Sequence, residues 1–379
     1  MKILIGADIV PTKSNICDFE NGNIENLIDD NLANILKTAD FRIFNLEVPL
    51  TDNETPITKC GPNLIASTKS VKGIKKIGAD FLTLANNHIM DQDEQGLKST
   101  IEVLRKENIA FAGVGNTPDD AAKPYIIEKD NKKIGIYCSA EHEFSIVTEK
   151  KAGANPFDPF ESLDHIQKLK SEVDYVIVLY HGGKEEYRYP SPYLQKVCRK
   201  IIDKGADIVI CQHTHCIGCE EKYNDGTIVY GQGNFLFDLD DNEFWQTSLL
   251  VSIDIEDTYA NVSYLPLEKN GTAVKFTSDN KERILSDFYN RSKEILKPGF
   301  IEEKFAEKSE EQFERYICML QGKRYKSFIF RGINKISGHR IKKYLLKKQY
   351  GKSELCAVRN LIECEVHREG IVKRIDTII

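Results

Sequence analysis

The sequence has no long apolar run. No segment of its 379 residues approaches the roughly 18–20 consecutive apolar residues of a membrane-spanning helix. The apolar run at the N-terminus stops at Gly6 and Asp8, too early for the core of a secretion signal. No internal repeat or low-complexity tract is present, and residues 113–115 (GVG) lack the GxGxxG spacing of a dinucleotide site. A membrane-spanning, secreted, repetitive or dinucleotide-binding protein is therefore not expected.

The ten cysteines are not accompanied by a secretion signal, which favours reduced thiols over a disulfide framework and predicts a cytoplasmic location. Cys216 and Cys219 form a CxxC pair. One such pair without a second is weak evidence for zinc, and a redox pair would usually open a helix, whereas this one precedes a predicted hairpin. We therefore expect both to be structural thiols.

The formal net charge of −6 conceals an asymmetry along the chain. Residues 281–379 contain 23 Lys and Arg against 14 Asp and Glu, a net charge of +9, so the first 280 residues carry −15. A basic tail on an acidic body suggests an anionic polymer, a membrane surface or another subunit as a partner. A differently charged accessory domain without a ligand is an equally good explanation. Nucleic acid is not an expected partner.

Apolar runs rich in β-branched residues predict five buried strands, and helical patterns separate them. The runs are KILIGAD, FRIFNLE, FLTLAN, DYVIVLYH and ADIVICQH, at residues 2–8, 41–47, 81–86, 174–181 and 206–213. Strands that alternate with helices predict an α/β fold with largely parallel pairing. Hairpin turns near residues 130–131 and 224–226, and alternating strands after Gly233, make the predicted sheets mixed.

The character of the sequence changes around residue 275. Residues 281–350 are rich in Lys, Arg and Glu at helical spacing. We expect a first domain over residues 1–275, a boundary near residues 275–295 and a basic, mainly helical domain over residues 281–379. The segment CAVRNLIECEVH, residues 356–367, is predicted to form a short β-like end.

Polar side chains follow each of the five predicted strands. In open α/β sheets the carboxyl ends of the strands meet at one rim, where ligands gather. Half of the eight histidines lie at these ends, beside carboxylates and carboxamides. One such histidine is usually a satisfied polar residue, but donors at five strand ends predict a metal centre. Carboxylate, carboxamide and imidazole ligands together suit a borderline divalent ion such as Zn, Mn or Fe.

The order of these donors resembles the calcineurin-like metallophosphoesterases, and more closely their bacterial capsule synthesis branch of CapA type (PGA_cap), associated with capsule and poly-γ-glutamate production. The resemblance covers roughly residues 1–255 and not those beyond about 280. Its motifs are NLEVPLT (45–51), ANNHIMD (85–91), GVGNTPDDAAKP (113–124), HGGKEEY (181–187), GADIVICQHTH (205–215) and YGQGNFLFD (230–238). It implies a four-layer α/β/β/α metallophosphoesterase-like sandwich with mixed sheets, followed by the mainly helical C-terminal domain.

The resemblance also implies one or two divalent metal ions, of Mn, Zn or Fe. Carried over by motif, the metal ligands would be Asp8, Glu47, Asn87, His181, His213 and His215. Glu47 would bridge the two ions, with Asp8 and His215 on the first ion and the other ligands on the second. His88 would be the catalytic residue that protonates a leaving group or stabilises the transition state.

The chain departs from the general metallophosphoesterase pattern at two positions. Val10 stands where an Asp-x-His motif supplies a ligand, and Glu47 replaces the usual bridging aspartate. The capsule branch shares both changes, so they do not argue against that family. They leave the first ion with three candidate ligands, and a single tightly bound ion is equally compatible.

Other polar residues near the motifs are candidates for supporting or substrate-binding roles. Asn86 and Asp91 would hold the neighbouring ligand and His88 in position, although Asp91 could equally cap the helix that begins after it. The remaining candidates would contact an anionic substrate, or else be surface charges or turn residues: Lys59, Glu186, Arg188 and Asn234.

We therefore expect a metal-dependent hydrolase-like protein of capsule, exopolysaccharide or poly-γ-glutamate biosynthesis. It would use activated water on a phosphoester, amide or related polymer linkage. Expected partners are an anionic polymer or phosphorylated small substrate, and a polymer-synthesis complex at the membrane, reached through a partner or the basic C-terminal domain. The alternatives are a non-catalytic scaffold of a polymer-assembly complex and a general cytosolic phosphoesterase.

Overall fold

A computed structural model of the chain describes residues 1–256, 260–320, 334–338, 340–363 and 365–376. The strands are β1 (Lys2–Val10), β2 (Phe41–Leu46), β3 (Phe81–Thr83), β4 (Ala110–Ala112), β5 (Val114–Gly115), β6 (Tyr125–Lys129), β7 (Lys132–Ala140), β8 (Gly153–Ala154), β9 (Tyr175–His181), β10 (Ile208–Gln212), β11 (Glu220–Tyr223), β12 (Gly226–Val229), β13 (Asn234–Phe237), β14 (Thr247–Ile255), β15 (Ala260–Asn270) and β16 (Ala273–Phe276). The helices are α1 (Ile16–Asn21), α2 (Asp30–Lys37), α3 (Val71–Ile77), α4 (Asp93–Glu107), α5 (Pro118–Ala121), α6 (Glu161–Lys170), α7 (Pro192–Asp203), α8 (Lys281–Glu294), α9 (Phe300–Leu320), α10 (Arg340–Gln349), α11 (Lys352–Glu363) and α12 (Glu365–Asp376).

The strands form two large sheets, and both are mixed as predicted. The first has the order β16-β15-β14-β1-β2-β3-β4, with β13 also pairing with β1. In it β1 to β4 are parallel to one another, whereas β14 is antiparallel to β1 and β14 to β16 are antiparallel to one another. The second has the order β11-β12-β10-β9-β7-β6, parallel in the middle and antiparallel at both edges. The edge hairpins of the second sheet turn where the sequence predicts, at residues 130–131 and 224–226.

The two sheets pack face to face over an apolar core. Ile5 and Phe81 of the first sheet and Ile136 and Ile177 of the second are fully buried in it. These strands are buried on both faces, which explains their nearly continuous apolar sequences.

Helices cover the outer face of each sheet. Leu32 of α2, Ile74 of α3 and Leu97 of α4 pack on the outer face of the first sheet. Ile166 of α6 and Ile201 of α7 do the same on the second sheet. Each helix buries one apolar side and exposes the other. The predicted four-layer α/β/β/α sandwich is confirmed.

The chain divides into two compact units, residues 1–301 and 302–379. The first unit includes α8, whose Ile284 and Phe288 join the core between the sheets, so it extends beyond the predicted boundary near residues 275–295. The described part of the second unit is helical. The β-like end predicted for residues 356–367 is wrong, because α11 and α12 contain the described residues of that stretch, 356–363 and 365–367. Short alternating apolar residues there fit a helix as well as a strand.

No helix in the described ranges combines the length and the apolar character needed to cross a membrane. The eight cysteines whose side chains the structure describes are all free thiols. Cys216 and Cys219 are among them, both fully buried, and burial raises the pKa of the Cys216 thiol to about 11.

Candidate metal centre

Strand pairing brings the predicted donors together at one rim. Asp8 lies opposite Asn45 in the β1–β2 pair and opposite Asn234 in the β1–β13 pair. In the second sheet His181 ends β9, and His213 directly follows the neighbouring parallel strand β10. The carboxyl ends of strands from both sheets thus supply side chains to a single cluster.

Two overlapping groups of potential metal ligands make up this cluster. Ligand atoms of Glu47, His181 and His213 all lie within 4.8 Å of one another, and so do those of Asp8, Glu47 and His215. All five residues are buried, with Asp8 and Glu47 completely shielded from solvent. Glu47 belongs to both groups, which is the position that a bridging carboxylate needs. The predicted ligand Asn87 adjoins them, its Oδ1 2.9 Å from Nε2 of His181.

Several polar atoms of the cluster have no hydrogen-bond partner among the described residues. They are Asp8 Oδ2, both carboxylate oxygens of Glu47 and Nδ1 of His213. An unpaired buried carboxylate is costly, since burial removes its water and the protein gives nothing in return. Lone pairs of two carboxylates and an imidazole that converge in this way fit a divalent cation.

The electrostatics of the cluster point the same way. Burial, and then the charge of Glu47, raises the pKa of Asp8 well above its ordinary value. Burial raises the pKa of Glu47 to about 7. Burial and neighbouring imidazoles lower the pKa values of His181 and His213 well below the ordinary value. The histidines are therefore neutral and able to ligate, and a cation would reverse the penalty on the carboxylates.

Two asparagines, Asn45 and Asn86, form hydrogen bonds that support the cluster. The Asn45 amide donates to Asp8 Oδ1 at 2.7 Å and lies 3.2 Å from Nδ1 of His181. The Asn86 amide donates in turn to Asn45 Oδ1 at 3.0 Å and to the Leu46 carbonyl at 2.8 Å. The predicted role of Asn86 is to hold Asn87 and His88 in position, and its Oδ1 accepts a hydrogen bond from the His88 backbone N–H at 3.1 Å. Fixed partners of this kind set the orientation of ligand side chains.

His213 and His215 are held by contacts and backbone conformations of their own. The Nδ1 atom of His215 lies 2.9 Å from Oδ1 of Asn234, and its ring stacks on Trp245 with centroids 4.7 Å apart. His213 and His215 have positive φ angles of 87° and 54°, uncommon for residues with a side chain. Such strained backbone often accompanies functional sites, where the surrounding structure maintains it.

His88 lies beside the cluster in a buried polar group of its own. Its Nδ1 is 2.6 Å from Oδ2 of Asp91, and the Asp91 carboxylate also accepts from Lys59 and from the Leu64 backbone N–H at 2.6 Å. Nζ of Lys59 also lies 3.1 Å from this Nδ1, but the shorter contact is to the Asp91 carboxylate, which only accepts. We therefore assign the proton to Nδ1, which leaves Nε2 as the reactive nitrogen. Asp91 does not cap α4, whose N-cap is Gln92.

Two of the predicted substrate contacts are not among the grouped ligand atoms. Glu186 accepts a hydrogen bond from the Asn242 amide, and it is Glu185 whose carboxylate groups with His213 and His215. Arg188 lies over the Phe244 ring, 4.8 Å from its centroid, and donates to the Ile217 carbonyl. Lys59, by contrast, is almost fully buried against Asp91, so it is not a surface charge.

The sequence-based reasoning missed four residues at the rim. Asn45 stands at the end of β2 but was noted only as part of a motif. Glu141 follows β7 and lies 3.6 Å from Nε2 of His213, so the same strand-end argument would have found it. Glu185 adjoins the predicted Glu186. Trp245 has no sequence signal, since its stacking on the cluster depends on a turn far along the chain.

Four layers of α/β/β/α order, with carboxylate, carboxamide and imidazole donors at the joined carboxyl ends of two mixed sheets, define a metallophosphoesterase-like protein. The buried, unpaired donor atoms fit a divalent ion, and their N/O character suits Zn, Mn or Fe. Comparison with known families assigns the chain to one family. Residues 3–239 match the family "Bacterial capsule synthesis protein PGA_cap", and the chain belongs to that family.

Curated relatives agree with the family. The chain is 30% identical over 212 residues to the capsule biosynthesis protein CapA of Bacillus anthracis, covering 54% of this chain and 52% of that protein. It is 31% identical over 210 residues to the PGA biosynthesis protein CapA of Bacillus subtilis, covering 54% and 55%. The aligned part is thus about half the length of each relative. A phosphatase from Mycoplasma pneumoniae is similar in structure, with a TM-score of 0.41 and 16% identity over 72% of this chain and 90% of that one.

Proposed function

We propose that the chain is a metal-dependent hydrolase of capsule or poly-γ-glutamate biosynthesis, acting on a phosphoester, amide or related linkage of an anionic substrate. The convergence of unpaired, buried Asp8, Glu47 and His213 atoms at one rim carries this proposal. Membership of the capsule synthesis family, and the names of the two Bacillus relatives, support the substrate class.

Asp8, Glu47, Asn87, His181, His213 and His215 would hold one or two divalent ions. When bound, such an ion acts as a Lewis acid and activates water at neutral pH. The chain's own residues prepare the rim for that task. Burial favours the neutral form of His181 and His213, and a neutral imidazole has one ring nitrogen that can ligate a metal. Asn45, tied to Asp8 and placed beside His181, keeps the two in register.

His88 would deliver a proton to the leaving group. The Asp91 carboxylate fixes its Nδ1–H, which leaves Nε2 to bind and release the proton. Part of the imidazole is exposed, unlike the Asp91 carboxylate behind it, so a substrate can reach the ring. General acid catalysis by such a group contributes about 10²- to 10⁴-fold to a rate.

The test is to purify the full chain, measure bound Mn, Zn and Fe, and assay hydrolysis of aryl phosphate esters and of γ-glutamyl polymer. We expect at least one bound ion per chain, its loss in His213→Ala, and a 10²- to 10⁴-fold slower rate with retained metal in His88→Ala. His367→Ala, an exposed histidine on α12, is the matched control and should behave as wild type. Metal well below one equivalent after supplementation would refute the proposal.

A non-catalytic scaffold is the second candidate, because Val10 is buried and apolar at the position where metallophosphoesterases carry a further ligand. The partners would then be a polymer-synthesis complex at the membrane and its anionic product. Removal of residues 302–379, which leaves the first unit whole, separates the two proposals. A scaffold predicts that this truncation abolishes cellular polymer production while His88→Ala leaves it intact; a hydrolase predicts that His88→Ala abolishes it.

A further inference from the structure

A cavity of about 410 Å³ has none of the proposed metal ligands in its lining, and the mechanism does not use it. Its lining brings together α8, the segment after the second-sheet histidines and the short 3-10 turn Glu243–Gln246. Three arginines line it: Arg188, Arg283 and Arg291. All of its residues belong to the first unit of the chain.

None of the three arginines forms an ion pair with a described carboxylate. The cavity also has two acidic residues in its lining, Glu243 and Asp287, but neither is within ion-pair distance of a guanidinium. Arg283 is exposed and makes no side-chain hydrogen bond within the described ranges. Three guanidiniums against two carboxylates leave the lining with a formal net charge of +1, which favours an anion.

Two of these guanidiniums are held close together despite their like charges. Arg188 Nη1 and Arg291 Nη2 donate to the same carbonyl, that of Ile217, at 3.2 and 3.3 Å. Arg291 also donates through Nε to the Gly218 carbonyl at 2.8 Å. Burial and the charge of Arg188 together lower the pKa of Arg291. One backbone turn therefore fixes both guanidiniums, and the N–H groups that these carbonyls do not use are pre-positioned for a carboxylate or phosphate.

The same turns connect the cavity to the metal centre. Ile217 stands two residues after His215, and the 3-10 turn that lines the cavity contains Phe244 and Trp245. Phe244 lies under the Arg188 guanidinium, whereas Trp245 stacks on His215. A chain-like substrate that reaches the metal centre would therefore have a second anchoring point close by.

We propose that Arg188, Arg283 and Arg291 form an anion subsite that binds a carboxylate or phosphate group of the substrate, away from the linkage at the metal centre. This inference rests on the proposed function for the identity of the substrate, but the subsite itself does not depend on hydrolysis. Its role is to position an anionic chain, so it should act mainly on binding.

Binding to the full-length protein by titration calorimetry at fixed ionic strength tests the subsite, with γ-linked glutamate oligomers in one arm and inorganic phosphate in the other. Arg283→Glu is the main variant, because the wild-type side chain makes no described contact that the fold could lose. We expect it to weaken binding about tenfold or more, since a charge-assisted hydrogen bond is lost and a repulsion is gained. Lys293→Glu, an exposed charge reversal on the same helix outside the cavity, is the control and should change binding less than about twofold.

The two arms identify the source of the anion, because oligomer binding indicates a carboxylate chain and phosphate binding alone indicates a phosphorylated substrate. Equal affinities of Arg283→Glu and Lys293→Glu, or no binding of either probe by wild type, would overturn the subsite. Repeating the titration with chelated protein separates the two proposals. If metal-free wild type binds the probe and metal-free Arg283→Glu does not, the subsite is supported even when the wild type hydrolyses nothing. If the enzyme is metal-loaded and active but Arg283→Glu binds the probe as wild type does, only the proposed function is supported.

Discussion

Glu47 and Glu221 are two buried carboxylates with opposite surroundings. Glu221, in β11, accepts from Nε of Arg199 at 2.9 Å and from the Tyr230 hydroxyl at 2.7 Å, with the Gln195 amide at 3.3 Å. Glu47, directly after β2, forms no hydrogen bond through either oxygen among the described residues. Nε2 of His181 lies 3.3 Å from Oε1, but burial favours the neutral form of that ring, so it supplies no counter-charge. Both are shielded from solvent almost completely.

This difference separates a structural carboxylate from a functional one. The chain provides Glu221 with a counter-charge and donors, so its burial costs little and ties α7 to the hairpin. The chain surrounds Glu47 with other acceptors and neutral imidazoles, which stabilises nothing in the absence of a cation. A buried carboxylate without hydrogen-bond donors is expected where a bound ligand supplies the missing interactions.

The largest effect should come from removing the Glu47 charge. Glu47→Gln takes one carboxylate from both ligand groups, so we expect metal affinity to fall by more than the 10- to 100-fold typical of supporting residues, leaving no measurable ion after purification. Glu221→Gln is the matched control and should keep the full metal content despite lower stability. Equal metal contents of the two variants, measured by elemental analysis, would erase the distinction between the two carboxylates.

The pH dependence of stability should distinguish metal-free wild type from metal-free Glu47→Gln. The pKa of Glu47 is raised from 4.5 to about 7, so the protonated form is favoured in the fold. Its contribution is fully present below pH 4.5 and is lost as the pH rises to about 7, on the order of 3 kcal/mol. The free energy of unfolding of wild type should therefore fall relative to Glu47→Gln over that window, and part of the fall comes from Asp8, whose pKa the Glu47 charge also raises.

Denaturant titrations at several pH values in chelator measure this difference. Saturating Mn or Zn should abolish it, because the ion replaces the proton as the partner of Glu47. A wild-type curve parallel to that of Glu47→Gln from pH 4 to 8 would show that the carboxylate is satisfied within the chain.

The sheets were predictable from sequence because their strands are buried on both faces. Continuous apolar runs such as that of β9 and β10, bounded by turns and helices, leave few alternatives. The C-terminal segment was not predictable in the same way. Its apolar residues are sparse and irregular between charges, so the pattern at residues 356–367 allowed a strand where helices form.

The donors at the rim were predictable to the extent that they follow strands. Asp8, His181 and His213 stand at strand ends in the sequence and at the cluster in the structure. The orientation of loop residues was not predictable. Glu186 has a positive φ angle of 54°, and this backbone conformation affects which of Glu185 and Glu186 faces His213 and His215. No residue pattern in that stretch predicts it.

A smaller effect is expected from the support beneath the cluster. Asn45→Ala removes the amide that donates to Asp8 and adjoins His181, so metal affinity should fall about 10- to 100-fold while the ligands stay in place. Asn155→Ala is the control: this buried amide donates to the Cys138 carbonyl at 2.8 Å and to none of the proposed ligands. Competition with a chromogenic chelator gives both affinities. A similar loss in both variants would mean that general destabilisation, and not the orientation of ligands, accounts for the change.

The smallest effect should come from the structural carboxylate. Tyr230→Phe removes one of the donors to Glu221 and leaves Arg199 in place, so the unfolding free energy should fall by about 1–3 kcal/mol with no change in metal content. Tyr193→Phe, on an exposed part of α7, should leave both quantities unchanged. A loss of metal in Tyr230→Phe would contradict the separation of the two carboxylates, because it would make the Glu221 network part of the metal centre. Retained metal with reduced stability is the result expected if Glu221 stabilises the fold and Glu47 binds the ion.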